Sequence, residues 1–411
     1  MRRKVIVIGG GASGLTAAIW SARGGADTVI VEHMDRVGKK ILSTGNGRCN
    51  LTNRKMDASC YRSNQADFPM QVIGAFDVEE TLAFFGELGI EPKDRNGYIY
   101  PASDQAASVL DVLRQEIEHL GVVTLTDCEA RTIRRTKRGR ILVETSQGAL
   151  EADAVILCAG SKAAPVTGSD GSGYELAKSA GHRIIKPLPA LVQLRCQGKH
   201  YKQLAGIRAD ARLTLFCGNE ELVRERGELQ LTDYGLSGIP TFQISRFAAR
   251  ALDAGKSVHV RVDFLPDWSE PEAFGRLKRR AQNLAHKPAG EFFTGLLNRK
   301  LAVVLLKAAG ISLEQRVGTL SGRQLSQLLA QLKSYEALVA SVNPFANAQV
   351  CCGGVDVREV DGATMQSKVF SGLYLAGEIL DVDGICGGYN LQFAWSSGAI
   401  AGKSAAKGGN T

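Results

Sequence analysis

The chain has 411 residues, 44% of them hydrophobic and 22% charged, which supplies a sizeable core and excludes a disordered polymer. Its length predicts about two or three domains. Fifty Lys and Arg against 42 Asp and Glu leave a formal charge of +8, a mild basic excess that would suit an acidic ligand or a nucleic acid and decides between neither. Glycine is the outlier, at 46 residues. The glycines cluster and follow no three-residue period, so a collagen helix is excluded and loops that approach something closely are expected.

The nine cysteines are odd in number and contain no C-x-x-C, and Cys351 and Cys352 are adjacent. That pattern argues against a disulfide framework and a zinc site, predicts no metal, and suits a reducing, cytoplasmic setting. No run of 18 apolar residues occurs, so no membrane-spanning helix is expected. The N-terminus, MRRKVIVIGGGASGLTAAIW, imitates a signal peptide but reads better as a buried strand, a glycine turn and a helix.

In chain order, KVIVIG predicts a strand buried on both faces, ASGLTAAIWSARGG a helix ending at a glycine pair, and DTVIVE a second strand, which together make one βαβ unit. Residues 33–75 read as irregular and glycine-rich around VGKKILSTGNGRCNLTN. Residues 77–120 read as two helices around a loop, PKDRNGYIYP. VVTLTD, a hairpin turning near Gly139, and ADAVILCAG follow as strands. From about 191 to 265 the pattern is strand-rich, from about 270 to 340 helical, and after 341 the glycine-rich style returns. The predicted fold is therefore α/β: a Rossmann-like dinucleotide-binding domain (1–192 and 341–411) interrupted by an insert (193–340), strand-rich over 193–265 and helical over 266–340.

Gly9-Gly10-Gly11-Ala12-Ser13-Gly14 matches G-x-G-x-x-G, follows a strand, opens a helix, and precedes Glu32 at the end of the next strand. Gly9 permits the turn, Gly11 lets a pyrophosphate approach the backbone, and Gly14 lets the helix pack on the sheet. The helix N-terminus offers free N–H groups to the phosphates. Glu32 would accept ribose hydroxyls and disfavour a 2′-phosphate. A second element, GLYLAGEILDVDGICGGYNLQFAWSSGAIAG (372–402), reads as a strand ending in Gly377-Glu378, then a glycine loop opening a helix near Leu391. A carboxylate for a ribityl hydroxyl and a helix N-terminus for a flavin ring have a use in an FAD protein and none in an NAD-only dehydrogenase, so FAD is the expected cofactor.

GKKILSTGNGRCNLTN, LTDYGLSG, TMQSK and GEILDVDGICGGYNLQFAWSSG together resemble the BaiN/aminoacetone-oxidase-like family of bacterial flavoproteins, over essentially the whole chain. The resemblance implies a glutathione-reductase-type FAD domain carrying a β-barrel-like and helical insert. It implies that Ala12, Ser13, Glu32, Lys39 and Lys40 line the ADP half of FAD, that Gly38 lets the chain pass the pyrophosphate, and that Ala130 holds adenine through its backbone. Gly377, Glu378, Gly388, Asn390 and Leu391 would flank ribityl and flavin, with Ala159, Gly160, Asn46, Gly47 and Cys49 also at the cofactor. The family's implied activities diverge: reduction of ring double bonds in 3-oxo bile-acid intermediates with NAD(P)H as a transient donor, or oxidation of an aminoacetone-type amine with release of hydrogen peroxide. The substrate is expected to be a small molecule at the junction of the FAD domain and the insert.

Other residues carry alternatives. Cys49 is a redox thiol or a packing residue; the next cysteine, Cys60, is too distant in sequence for a thiol–disulfide pair. Cys386 modulates the flavin edge or fills space. Asn46, Arg48 and Asn50 brace their loop or touch flavin and substrate. Tyr389 donates a proton or packs, and Tyr234 is a weaker candidate. Tyr389, Cys386 and Arg48 are thus the catalytic candidates. The six cations of residues 131–140 fall on a predicted hairpin without interleaved aromatics, which argues for a solvated face over nucleic-acid contact. An RNA-modifying flavoprotein remains the reading from another class. GSDGSGYELAKSAGH (168–182) is a second glycine loop opening a helix, read as part of the flavin domain or as a nicotinamide-phosphate site.

Overall fold

The computed structural model describes residues 2–408. The chain divides into two compact units, one formed by the residues through Leu188 together with those from Gln349 onward, the other by Pro189–Ala348. Each has its own hydrophobic core.

The first unit is built on a five-stranded parallel sheet, in the order Leu373–Leu375, Ala154–Leu157, Lys4–Ile8, Asp27–Val31, Val123–Leu125. The central strands read as unbroken β-branched and leucine runs because both faces are covered: all of Ala154–Leu157 and Val5–Ile8 are buried. The helix Ala12–Arg23 crosses between the first two strands, as KVIVIG-ASGLTAAIW-DTVIV predicts. The terminal helix, Tyr389–Lys407, packs along it. Two glycines one turn apart, Gly398 and Gly402, make that packing possible. A Cβ on either would stand 2.5 Å from the Ser13 carbonyl oxygen and 2.3 Å from that of Ala17, respectively. This contact sets the middle of the last helix against the start of the first, with the two running in the same direction.

An antiparallel sheet of Ala130–Arg135, Ile141–Thr145 and Gly148–Ala152 flanks the parallel one, with the turn at Gly139 as predicted. PKDRNGYIYP, expected as a loop, is a β-hairpin instead: Pro92–Arg95 pairs with Tyr98–Pro101. Asn96 and Gly97 both take positive φ, the conformation that Asn-Gly supplies to a two-residue hairpin turn.

The second unit is a closed six-stranded barrel, in the order Leu194–Cys196, Gly235–Ser237, Glu220–Leu231, Arg208–Cys217, Val258–Asp263, Tyr335–Val342, accompanied by helices Glu270–Asn283, Arg299–Ala308 and Gly322–Lys333. Two expectations about this insert are corrected. The supposedly helical end of the segment to 340 contains the closing barrel strand, Tyr335–Val342, whose residues 335–340 alternate buried and exposed with period two. The helix-period pattern stops at Lys333, and the β-branched and aromatic positions after it face the barrel core. The supposedly strand-rich part contains the helix Ile239–Asp253, which follows Gly238 at a φ of 94°, carries Pro240 in its first turn, and buries Ile244 and Ala248 one turn apart.

Candidate cofactor site

The glycines of the first loop answer to different constraints. Gly9 has a φ of +96°, and a Cβ there would lie 2.5 Å from the Cys158 carbonyl oxygen. A Cβ on Gly14 would lie 1.9 Å from the Gly9 carbonyl oxygen, so the helix can sit on the strand only without one. Gly11 is the opposite case: it caps the helix at an ordinary φ of −80°, and nothing lies within 4 Å of its absent Cβ. The protein itself does not need a glycine here; the space in front of the first turn does. The amides of Ala12, Ser13 and Gly14 face that end of the helix without intrahelical acceptors, and the helix dipole adds partial positive charge. The Ser13 hydroxyl turns inward and donates to the Ala376 carbonyl at 3.3 Å, which leaves its backbone amide as its contribution.

A cleft opens from this turn. Gly9, Gly11, Glu32, Gly38, Lys39, Lys40, Ala130, Ala159 and Gly160 all line it, so the structure gathers nine of the predicted residues in one place. Glu32 is buried with both oxygens held: Oε2 accepts from Gly10 N at 2.7 Å and Oε1 from Met34 N at 2.9 Å. Each oxygen keeps a lone pair for a hydroxyl in the cleft. Gly38 takes a φ of +80° and donates its amide to the Gly10 carbonyl at 2.8 Å, which brings the Lys39–Lys40 segment against the first loop. The second glycine loop borders the same cleft through Gly168, Ser169 and Ser172. It is clipped to Ser161 by reciprocal bonds of Ser169 Oγ, each 3.1 Å. His33 and Arg36 also line the cleft and escaped the sequence reading, because they follow Glu32 in a stretch with no periodic signal.

The later elements reach the same region through Glu378. Its Oε2 accepts from Lys40 Nζ at 2.6 Å and from Ser161 Oγ at 3.1 Å. Gly377 touches the first helix, since a Cβ on it would stand 2.3 Å from Ser13 Oγ, and its amide donates to Ser397 Oγ at 3.0 Å. The block GNGRCNLTN is bolted to the terminal helix. Thr52 Oγ1 donates to Gln392 Oε1 at 2.6 Å, Trp395 Nε1 to the Leu51 carbonyl at 3.0 Å, and Asn53 Nδ2 to the Gly387 carbonyl at 3.0 Å. Asn50 Oδ1, in the same block, is a buried acceptor without a partner and stands 3.0 Å from the position of a Cβ on Gly388 at the entrance to that helix. A buried, unpaired amide oxygen is costly unless a ligand donor completes it. The open cradle at Gly11, the carboxylate at the end of the second strand and this orphaned acceptor fit a dinucleotide with an N–H-bearing ring, as FAD has.

Comparison with known proteins agrees. The model of the HI0933-like protein Rossmann domain matches residues 3–404. The chain belongs to this family. It is 44% identical over 406 residues to a 3-dehydro-bile acid delta(4,6)-reductase of Clostridium scindens, covering 98% of this chain and 99% of the relative. It is 27% identical over 398 residues to a ribosomal RNA dihydrouridine synthase of Haemophilus influenzae, covering 95% of this chain and 96% of that one. Among solved structures, a 3-ketosteroid-delta4-(5alpha)-dehydrogenase from Rhodococcus jostii RHA1 aligns with a TM-score of 0.48 at 16% identity, over 99% of this chain and 97% of that one. The HI0933-like chain is an FAD-dependent oxidoreductase with a Rossmann-type FAD-binding fold.

The remaining predicted residues of this HI0933-like protein separate by burial. Cys49 is fully buried at a φ of 57°, and burial pushes its thiol up to about 12, an environment that suits packing better than thiolate chemistry. Burial acts likewise on Cys158, up to about 12, and on Cys351, up to about 11. Tyr389 is buried edge-to-face against Tyr61 at 5.9 Å between ring centres, and burial beside Cys60 raises its hydroxyl further above the phenol range. Its carbonyl accepts from Tyr61 Oη at 2.9 Å. Asn390 spends its side chain on Gly384, accepting from N at 2.8 Å and donating to O at 3.0 Å, and so holds the glycine loop that ends at Gly388. Leu391 and Cys386 are half-buried at the same loop. Asn46, Gly47 and Arg48 are exposed, and Asn46 and Gly47 take positive φ. Tyr234, in the second unit, lies under the Arg195 guanidinium at 4.7 Å and accepts from Asn343 Nδ2 at 3.1 Å. Three of the six cations of the basic hairpin are paired: Arg131 with Glu129 at 3.6 Å, Arg134 with Glu144 at 2.8 Å and Arg140 with Asp153 at 3.3 Å. Among the described residues no helix is long and apolar enough to cross a membrane.

Proposed function

We propose that the protein saturates a carbon–carbon double bond conjugated with a ring ketone, on a substrate of the 3-oxo bile-acid class, with NADH or NADPH as hydride donor. The observation that carries this reading is the 44% identity, end to end, with the bile-acid delta(4,6)-reductase. In balance, NAD(P)H loses a hydride and becomes NAD(P)⁺, the β-carbon of the enone gains that hydride, and the α-carbon gains a proton from solvent or a side chain. FAD, when bound, supplies the two-electron relay between donor and substrate.

The chain's residues position and polarise. The first-turn amides at Gly11–Gly14 would hold the pyrophosphate, and Glu32 would hold the adenosine ribose. Lys40, Glu378 and Ser161 would form the polar end toward a ribityl chain, and Lys39, which pairs with Asp35, would add positive charge near the phosphates. Asn50 Oδ1, left without a partner, would be free to accept from a ring N–H of the bound cofactor, and the N-terminus of the helix beginning at Tyr389 would favour negative charge placed before it. Arg48, exposed and without an ion-pair partner among the described residues, is the group we assign to the substrate ketone, where a cation stabilises the enolate that forms as hydride arrives. Tyr389 and Asn390 hold the glycine loop that would face the ring.

The dihydrouridine synthases suggest a second reading with the same chemistry. Dihydrouridine differs from uridine by saturation of C5–C6, a double bond conjugated with the C4 carbonyl. Anaerobic incubation of the FAD-loaded protein with NADH or NADPH and a 3-oxo-4-ene steroid acid, followed by mass spectrometry, tests the first reading. A gain of two hydrogens supports it. Failure to reduce any enone acid, with dihydrouridine appearing in ribosomal RNA, supports the second. In a separate aerobic incubation, peroxide formed from O2 on addition of aminoacetone would overturn both.

A further inference from the structure

The +8 charge resides entirely in the second unit. Residues 189–348 carry 22 Lys and Arg against 14 Asp and Glu, whereas the rest of the chain carries 28 of each. Within that unit the excess is concentrated further: residues 276–323 contain ten cations and two carboxylates. The cations there are not scattered evenly. Arg276, Arg279, Arg280 and Lys287 line one concavity of about 650 Å³, with Asn283 and Thr294 as neutral polar groups and Glu291 as its single carboxylate. That volume is of the size that holds a nucleotide-scale ligand.

Arg279 and Arg280 stand three and four residues after Arg276 on the helix Glu270–Asn283, so Arg276 neighbours both at about 5–6 Å between Cβ atoms, a repulsive arrangement that favours an anion beside them. None of the three is neutralised by a lining carboxylate. Arg280 is held rigid by donating Nε to the Phe292 carbonyl and Nη2 to the Thr294 carbonyl, which fixes its direction and leaves its charge uncompensated. Arg276 lies over the Trp268 ring at 4.4 Å. Arg279 is exposed with no hydrogen-bond or ion-pair partner among the described residues. Only Lys287 has a carboxylate nearby, Glu291 at 3.8 Å. One cation in the last turn satisfies the helix dipole; four around one concavity exceed that need.

We propose that this concavity is a phosphate-binding site for a nucleotide-bearing small molecule, with Arg276, Arg279, Arg280 and Lys287 as the phosphate ligands and Asn283 and Thr294 as neutral hydrogen-bonding partners. Guanidinium forks match phosphate oxygens bidentately, and a fixed Arg280 reduces the ordering cost. A single concavity without an exposed aromatic platform suits one diphosphate better than a run of stacked bases. The phosphates belong either to the hydride donor or to a nucleotide carried by the substrate. The site stands independently of the enone reading, and its binding test does not depend on turnover.

Holoenzyme with FAD in place, so that the cofactor cleft is filled, is titrated calorimetrically with ADP and with inorganic pyrophosphate at low and at physiological salt. Saturable one-to-one binding that weakens with salt is expected, at least tenfold weaker in Arg279→Glu and in Lys287→Glu, and unchanged in Arg134→Glu on the paired hairpin of the first unit. Retention of the flavin spectrum checks that each variant is folded. If the phosphates are the donor's, Arg279→Glu also raises KM for NADH or NADPH tenfold with kcat unchanged; if they are the substrate's, donor KM stays constant while ADP affinity still falls. Absence of ADP and pyrophosphate binding, or binding indifferent to both substitutions, overturns the proposal. So does a short single-stranded RNA that binds through these residues while ADP does not.

Discussion

Gly11 offers a clean separation of cofactor binding from folding. A Cβ at this position meets nothing within 4 Å, and the residue's φ of −80° is open to alanine, so Gly11→Ala adds a methyl group to empty space. The substitution reduces unfolded-chain entropy by about 0.4–1 kcal/mol and loses about 0.5–1 kcal/mol as a poorer N-cap. The apoprotein should therefore keep its stability to within about 1 kcal/mol. The same methyl occupies the place where a pyrophosphate meets the helix amides. Displacing it forfeits one or two charge-assisted hydrogen bonds, each worth about 1.5–3 kcal/mol. FAD affinity should fall by about two orders of magnitude, or ~3 kcal/mol. Thermal unfolding of the stripped protein and fluorescence titration with FAD measure the two effects separately. Gly14→Ala is the contrast: its Cβ would sit 1.9 Å from the Gly9 carbonyl oxygen, and it should destabilise the apoprotein itself. If Gly11→Ala unfolds the apoprotein, or binds FAD as tightly as before, the assignment of this turn to the pyrophosphate is refuted.

Lys40→Met removes the cation 2.6 Å from Glu378 and should weaken FAD about tenfold, ~1.4 kcal/mol, while Lys40→Arg retains most of the affinity; equal affinities in all three proteins would contradict the pair's role. With its thiol at about 12, Cys49 holds a thiolate fraction of about 10⁻⁴ at pH 8, so iodoacetamide should not label it in the folded protein and Cys49→Ala should keep flavin reduction; rapid labelling would restore a redox role. His182 is buried between Glu359, 3.1 Å from Nδ1, and Ser367, 2.8 Å from Nε2, and burial holds its pKa below the ordinary 6.5. The folded state therefore resists a proton that the unfolded state accepts. The stability this contributes is complete above about pH 6.5 and is lost as pH falls below it. Urea unfolding from pH 7.5 to 5 should show a steeper loss for the parent than for His182→Gln; parallel curves would refute it.

The cofactor half of the molecule was legible because its chemistry constrains backbone. G-x-G-x-x-G, Glu32 and the Gly377-Glu378 strand end each require a particular residue type at a particular spacing, and the cleft unites the first two with the Lys40 that pairs to Glu378. Partnerships between distant side chains were not legible. Nothing local announces that Gln392 will hold Thr52 or that Asn390 will spend its amide on Gly384. The candidate roles of Tyr389 and Cys49 turned on burial, which three-dimensional packing decides. The insert was misread where local pattern changes abruptly: residues 335–342 follow directly on a helix, and only their period-two alternation marks the strand that closes the barrel. The charge excess was visible from the first count. Its confinement to one unit, and the gathering of four of its cations around one concavity, needed the fold.

The central claim is that this flavoprotein passes electrons from a nicotinamide nucleotide to a conjugated ring ketone. Its most direct test is the visible spectrum of the purified protein without oxygen. NADH or NADPH should bleach the flavin band, and a 3-oxo-4-ene or 3-oxo-4,6-diene steroid acid should then restore it, one equivalent of enone per flavin. A protein that carries no flavin, or a reduced flavin that only oxygen can reoxidise, would contradict the account.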